Sequence, residues 1–219
     1  MGAFGCSQVE SPSLHLPDPD QKANLRNSFP RLWAIGNLDI LGKPLLALLC
    51  STRCSGKAIV QAYDVARTLR DRSVPVIGGF HTSMEKECLD LLLRGKQPVV
   101  VCPARSIRAM RIPGTLKVPL AEGRLLVLSP LDPRYRRPTA ELAERRNQFV
   151  AQVAHSILVL YAAPASKTEA LCLDLLKEGK PVYVLEDEPN PKVLADGASE
   201  IAVEKLSQVF GSMGAREDR

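Results

Sequence analysis

Apolar residues along the chain fall into two alternating periods. Short continuous runs at 44–50 (PLLALLC), 74–77, 98–102 (PVVVC), 125–128 (LLVL), 157–161 (ILVLY) and 181–185 (PVYVL) have the length and uniform apolarity of strands buried on both faces. Between them lie stretches with the three- and four-residue spacing of helices. Ile59, Tyr63, Ala66 and Leu69 mark one over 56–72, and Met84, Cys88, Leu91 and Leu92 another over 83–94. Two more are predicted over 139–154, with Thr139 as N-cap, and 166–177. Gly95 and Gly179 stand where glycine ends a helix. The spacing predicts a closing helix over 198–210, whereas 103–124 reads as irregular, with a turn at Pro113-Gly114. Strands alternating with helices predict an α/β fold, a Rossmann-like parallel sheet with helices on both faces. Ligands of such sheets sit beyond the carboxyl ends of the strands, at the switch point of the strand order. The loops to inspect are therefore 51–56, 78–83, 103–107, 129–138 and 161–167.

The flanks lack this periodicity. Residues 1–28, rich in Ser, Pro, Asp and Gln, predict a flexible N-terminal tail. Residues 211–219 predict a polar C-terminal tail, leaving one domain over 29–210. A chain of 219 residues with 45% hydrophobic content buries an adequate core without staples, and 5% aromatics make that core aliphatic. No signal peptide or apolar run of membrane-spanning length is evident, so no membrane partner and a reducing, cytoplasmic setting are expected.

Charge adds a direction. The net charge is +5, but 105–146 alone carries ten basic and four acidic residues, a local +6. Such a concentration attracts polyanions, and is equally compatible with a solvated arginine-rich surface. The six cysteines include no C-x-x-C pair, and Cys50 and Cys54 lack a second pair or a nearby histidine; no metal and no cofactor are expected. Cys50, Cys88, Cys102 and Cys172 lie in apolar segments and read as core.

Four segments bear on chemistry. Ser51-Thr52-Arg53-Cys54-Ser55-Gly56 follows the first predicted strand and opens a helix. Its small hydroxyl residues leave backbone amides open to an anion, and Arg53 offers two donors to a phosphate. It lacks the spaced glycines of the dinucleotide and Walker loops. Gly78-Gly79 admits close approach to the backbone, with His81 beyond it. Arg146 and Asn147 offer a phosphate and a base-edge contact, or form a solvated helix face. Ser166, Lys167 and Thr168 open a helix and favour an anion, although Ser166 and Glu169 also have the spacing of a capping box. No Ser/His/Asp order or paired-carboxylate setting assigns a catalytic residue.

In order, these segments resemble the DNA-processing protein A (DprA/Smf) family over about residues 28–187. Gly36-Asn37-Leu38 matches its Gly-Asn/Asp-Leu element, and Cys50-Ser51-Thr52-Arg53 with Ser55 stands at its V-G-S-R and Ser. The run from Gly78 to Glu85 corresponds to its S-G-x-A-x-G-I-D block, and Arg146-Asn147-Gln148 to its R-N-R helix. Ser166, Thr168 and Ala170 loosely meet its Ser-Gly-x-x-Thr-Ala loop. Cys50 and Ser51 stand for Val-Gly, Glu85 for Asp, Leu89 for His and Gln148 for the second Arg. At this length the winged-helix-like domain that many members carry is not expected. The resemblance implies a protein of DNA recombination or uptake that binds single-stranded DNA or a nucleotide and passes DNA to a RecA-type recombinase. Ser51, Arg53, Ser55, Gly78, Gly79, His81, Arg146, Asn147, Ser166, Lys167 and Thr168 would form its phosphate-binding site. A homodimer is compatible with this reading. The wider superfamily supplies the alternatives: a nucleotide-sensing domain, or a nucleotide N-glycosidase or phosphoribohydrolase with Glu85 or Glu169 as its carboxylate.

Overall fold

The computed structural model describes residues 5–10, 14, 16, 18–186 and 190–214. The six predicted strands form where the apolar runs place them: β3 (Leu46–Cys50), β4 (Val76–Gly78), β5 (Val99–Val101), β6 (Leu125–Ser129), β7 (Ser156–Tyr161) and β8 (Val182–Leu185). The predicted helices follow as α2 (Gly56–Asp71), α3 (Ser83–Leu92), α5 (Ala140–Val153) and α6 (Lys167–Lys177). All six strands run parallel in the order β6-β5-β4-β3-β7-β8. The order reverses at β3 and β7, which are hydrogen-bonded neighbours. The switch point therefore lies between the loops that follow them.

Each strand is apolar throughout because each buries both faces. On one side Leu46, Leu48, Val76, Val99, Leu125 and Leu158 meet α2, α3 and α8 (Leu206–Gly214). On the other, Ala47, Leu49, Ile77, Val100, Leu126 and Ile157 meet α1 (Pro19–Ser28), α5 and α6. Alternate residues of one strand thus belong to different cores, as the period of two requires.

The structure departs from the sequence expectations in four places. First, the predicted N-terminal tail contributes α1 and an edge strand β1 (Ser7–Glu10). β1 pairs antiparallel with β2 (Arg31–Gly36), which pairs antiparallel with β6. Leu14 and Leu25 are buried, and Phe29 packs edge-to-face on Phe149 of α5 at 5.2 Å. A few well-placed apolar residues therefore anchor a segment whose average composition is polar. Residues 1–4 and 11–13 of that tail lie outside the described residues. Second, α4 (Gly114–Ala121) stands in the stretch read as irregular; it buries Leu116 and Leu120 despite an internal Pro119. Third, the predicted closing helix begins as β9 (Ser199–Ile201), parallel to β8, and becomes α8 only from Leu206. Fourth, α8 runs to Gly214, so the expected C-terminal tail begins later, and residues 215–219 lie outside the described residues. A short helix, α7 (Pro191–Ala195), links β8 to β9.

Candidate functional site

The carboxyl edge of the sheet is held together strand by strand through polar side chains. Seven of the nine buried polar or charged residues among those described lie there: Ser51, Glu85, Ser106, Ser129, Arg146, Glu169 and Asn190. Buried polar groups must find partners, and all of these but Glu169 reach a neighbouring segment.

The first link joins β3 to β7. The Ser51 amide donates to the Tyr161 carbonyl (2.9 Å), and Ser51 Oγ accepts from the Ala163 amide (2.9 Å). Ser51 Oγ also shares a hydrogen bond with Ser166 Oγ at 3.2 Å. Asn190 extends this link outward, its Oδ1 accepting from the Ala162 amide at 3.2 Å. The second link joins β3 to β4. Glu85 Oε1 accepts from the Cys50 amide (3.1 Å), and its Oε2 accepts from His81 (2.8 Å) and Thr82 (3.2 Å).

The third link joins β4 to β5 through Arg146, whose guanidinium lies against Gly79. A Cβ on Gly79 would meet Arg146 Nη1 and Cζ well inside van der Waals contact. Nη1 donates to the Cys102 carbonyl at 2.8 Å, and Nε donates to Asn147 Oδ1 at 2.8 Å. The fourth link joins β5 to β6. Ser129 Oγ donates to the Arg105 carbonyl (3.0 Å), and the Ser106 amide donates to the Tyr135 carbonyl (2.7 Å).

Two helix N-termini open at the switch point. Ser55 caps α2, accepting from the Ala58 amide at 2.9 Å, and Ser166 caps α6, accepting from the Glu169 amide at 3.2 Å. Helix N-termini carry partial positive charge and favour an anion between them. Arg53 is exposed, and among the described residues no carboxylate lies within ion-pair distance of it. Lys167 is also exposed and pairs with Glu144 of α5 at 2.6 Å. An exposed pair of this kind contributes about 0–1 kcal/mol. Thr168 is half-buried in the first turn of α6, and His81 is exposed at the end of β4.

Two predicted contacts have partners within the protein. Arg146, 2% exposed, is an interior brace, and Asn147 Oδ1 accepts from its Nε. Burial lowers the Arg146 pKa, an effect opposed by the negative Glu85 nearby. The apolar positions of α5 around it, Leu142, Phe149 and Val150, were the readable sign that this helix turns Arg146 inward.

The candidate carboxylates are likewise committed to structure. Glu85 and Glu169 are each 6% exposed. Glu85 serves three backbone amides, and Glu169 Oε2 accepts from the Ala165 amide at 2.8 Å. Neither is placed as the working group of a hydrolase. Ala165 and Phe80, which precede the caps of α6 and α3, both have positive φ (56° and 46°). Sequence reasoning missed this pairing because no glycine announces it.

Burial pushes the thiols of Cys88, Cys102 and Cys172 up to about 12, as fits core residues. Among the described residues no three His, Cys, Asp or Glu side chains cluster as a metal would require. A cavity of about 1010 Å³ opens at the opposite edge of the sheet, lined by Asn37, Lys43, Lys96, Arg124 and His155. It includes none of the predicted phosphate-binding residues. The chemistry, rather than the volume, marks the carboxyl edge as the site.

The fold and the linked loops define a class of Rossmann-like α/β protein with two helix N-termini and an exposed Arg53 at its switch point. The model of the DNA recombination-mediator protein A family matches residues 17–213, and the chain belongs to that family. DNA processing protein A (DprA) from Streptococcus pneumoniae superposes with a TM-score of 0.73 at 18% identity, covering 93% of this chain and 74% of that one. DNA processing protein A from Helicobacter pylori gives 0.70 at 17%, covering 94% and 98%. The molybdenum cofactor binding protein from Rippkaea orientalis gives 0.57 at 11%, covering 78% and 97%. At these identities the likeness is one of fold. No curated protein matches the chain.

Proposed function

We propose that this protein binds single-stranded DNA at the carboxyl edge of its sheet, without catalysing a reaction on it. The observation that carries this reading is the Ser51 link. It sets two capped helix N-termini side by side, next to an Arg53 with no carboxylate partner among the described residues. Arg53 and Lys167 would hold phosphates, and the N-terminal dipoles of the two helices would complete the anion site. Gly78 and Gly79 serve packing: a Cβ on either would meet the Phe80 ring or the Arg146 guanidinium. Membership of a family of recombination mediators supports this reading. So does the fold match to the Helicobacter pylori protein, whose structure is described for its single-stranded DNA binding mode. Family membership also supports delivery of the strand to a RecA-type recombinase by a cytoplasmic protein, and a homodimeric form; none of the described helices is long and apolar enough to cross a membrane.

Fluorescence anisotropy with a labelled oligonucleotide at several salt concentrations tests the reading. Arg53→Ala is expected to weaken binding about tenfold, the scale of one charge-assisted contact. It should also reduce the salt slope by about 0.7, the share of one single-strand phosphate. An unchanged affinity and slope would remove Arg53 from the site.

A further inference from the structure

The loops after β5 and β6, residues 103–113 and 130–139, lie farther along the same edge. They carry Arg105, Arg108, Arg111, Arg134, Arg136 and Arg137 against one acid, Asp132, a net charge of +5. Their backbones are fixed to each other by the Ser129–Arg105 and Ser106–Tyr135 hydrogen bonds, and they are anchored by the buried Ala104, Ile107 and Leu131. The two loops therefore form one lobe, which carries all six arginines. Among the described residues only Arg134 of the six comes within ion-pair distance of a carboxylate, Asp132 at 4.0 Å. Arg108, Arg111, Arg136 and Arg137 are exposed. So many like charges without carboxylate partners, on backbones held in place, incur mutual repulsion that an external polyanion relieves.

The lobe also has an aromatic element. Tyr135 is half-exposed, its carbonyl is held by Ser106, and the Arg134 guanidinium lies 4.7 Å from its ring centroid. A fixed ring among arginines is the arrangement that stacks an unpaired base. From β3 to β5 there are two inter-strand steps of about 4.8 Å each, so the lobe begins about 10 Å from the Arg53 loop. The links through Glu85 and Arg146 bridge that interval without a break.

We propose that the single strand does not end at the switch point. It continues across β4 onto this lobe, where Arg108, Arg111, Arg136 and Arg137 hold successive phosphates and Tyr135 stacks a base. The inference rests on the reading of the switch point as a DNA site and extends that site into a directional track.

The test compares an oligothymidylate of about six nucleotides with one of about twenty, bracketing ordinary single-strand site sizes. Three proteins are compared with the wild type: Arg53→Ala, the combined Arg108→Ala/Arg111→Ala/Arg136→Ala/Arg137→Ala variant, and the same four positions changed to Lys. The alanine lobe variant should bind the short oligonucleotide within twofold of wild type. It should lose about tenfold or more on the long one, with a salt slope lower by up to about 3, or roughly 0.7 for each phosphate contact removed. The lysine variant should recover most of that loss, which a folding defect would not allow. Arg53→Ala should weaken both lengths. Equal behaviour of the two lengths in the alanine lobe variant, whether both unchanged or both weakened alike, overturns the track and leaves the switch-point site standing. Failure of the wild type to bind either length overturns the switch-point reading and the track with it.

Discussion

At the scale of single residues, the division between Arg53 and Arg146 decides how the site is read. Both are arginines in segments that match one family pattern, and sequence chemistry alone gives them the same role. The structure separates them by burial. Arg53 faces solvent, whereas Arg146 fills the space beneath Gly79 and donates to the Cys102 carbonyl. A side chain at position 79 would collide with that guanidinium, so the glycine is required there by close packing. Arg146→Ala would leave the Cys102 carbonyl and Asn147 without their donor and open a cavity under the loop. The expected cost is about 3 kcal/mol, which lowers Tm by roughly 6–12 °C in a chain of this size. Single-strand affinity of the protein that remains folded should change less than twofold. Arg53→Ala should show the reverse, weak binding with an unaltered melt. A large loss of affinity for Arg146→Ala at unchanged Tm would return Arg146 to the strand.

At the scale of elements, the two helix starts at the site solve one problem differently. At α3, Thr82 accepts from the Glu85 amide at 3.2 Å while the Glu85 carboxylate reaches back to the Thr82 amide, a reciprocal capping box. At α6, Ser166 caps in the same way, but Glu169 reaches past it to Ala165. The spacing Ser166 to Glu169 suggested the box at α6, and Thr82 to Glu85 carries the same spacing at α3. Spacing alone could not tell which carboxylate closes on its own cap, because that depends on the turn before it. Nor could it show that Glu85 also holds the Cys50 amide on β3, a contact between residues 35 apart in the chain. This added partner makes Glu85 the more consequential of the pair. A glutamine offers one acceptor oxygen and turns a donor toward groups that are themselves donors. Glu85→Gln is therefore expected to lower stability by about 2–3 kcal/mol and Glu169→Gln by about 1 kcal/mol. The midpoints of urea unfolding check both values. Equal small losses would mean that the tie from α3 to β3 contributes nothing.

At the scale of the whole molecule, what was legible followed from how far each interaction reaches along the chain. The six parallel strands and four main helices could be read because each is recorded by a local period, in runs such as LALLC and LLVLS. The switch point followed from the fold class. The strand-to-strand links could not be read, since Ser51–Ser166, Glu85–Cys50 and Arg146–Cys102 are contacts across the sheet with no trace in local pattern. The N-terminal stretch was illegible for another reason. α1 (PDQKANLRNS) is polar almost throughout, and its attachment rests chiefly on Leu25, which is fully buried, and on the neighbouring Phe29 against Phe149. Averaged composition hides one leucine at the right place. Yet this segment leads into β2, which covers the edge of β6, a strand apolar at Leu125, Leu126, Val127 and Leu128. An uncovered apolar edge of that kind invites pairing with other chains. If α1 is part of the folded unit, Leu25→Ala should cost about 2–4 kcal/mol and lower Tm by about 5–15 °C. Deletion of residues 1–28 should lower it further and promote concentration-dependent aggregation, seen as light scattering below the melting temperature. A dispensable tail would leave both the melt and the scattering of these variants at wild-type values, and the integrity of the β6 edge would then have to rest on β2 alone.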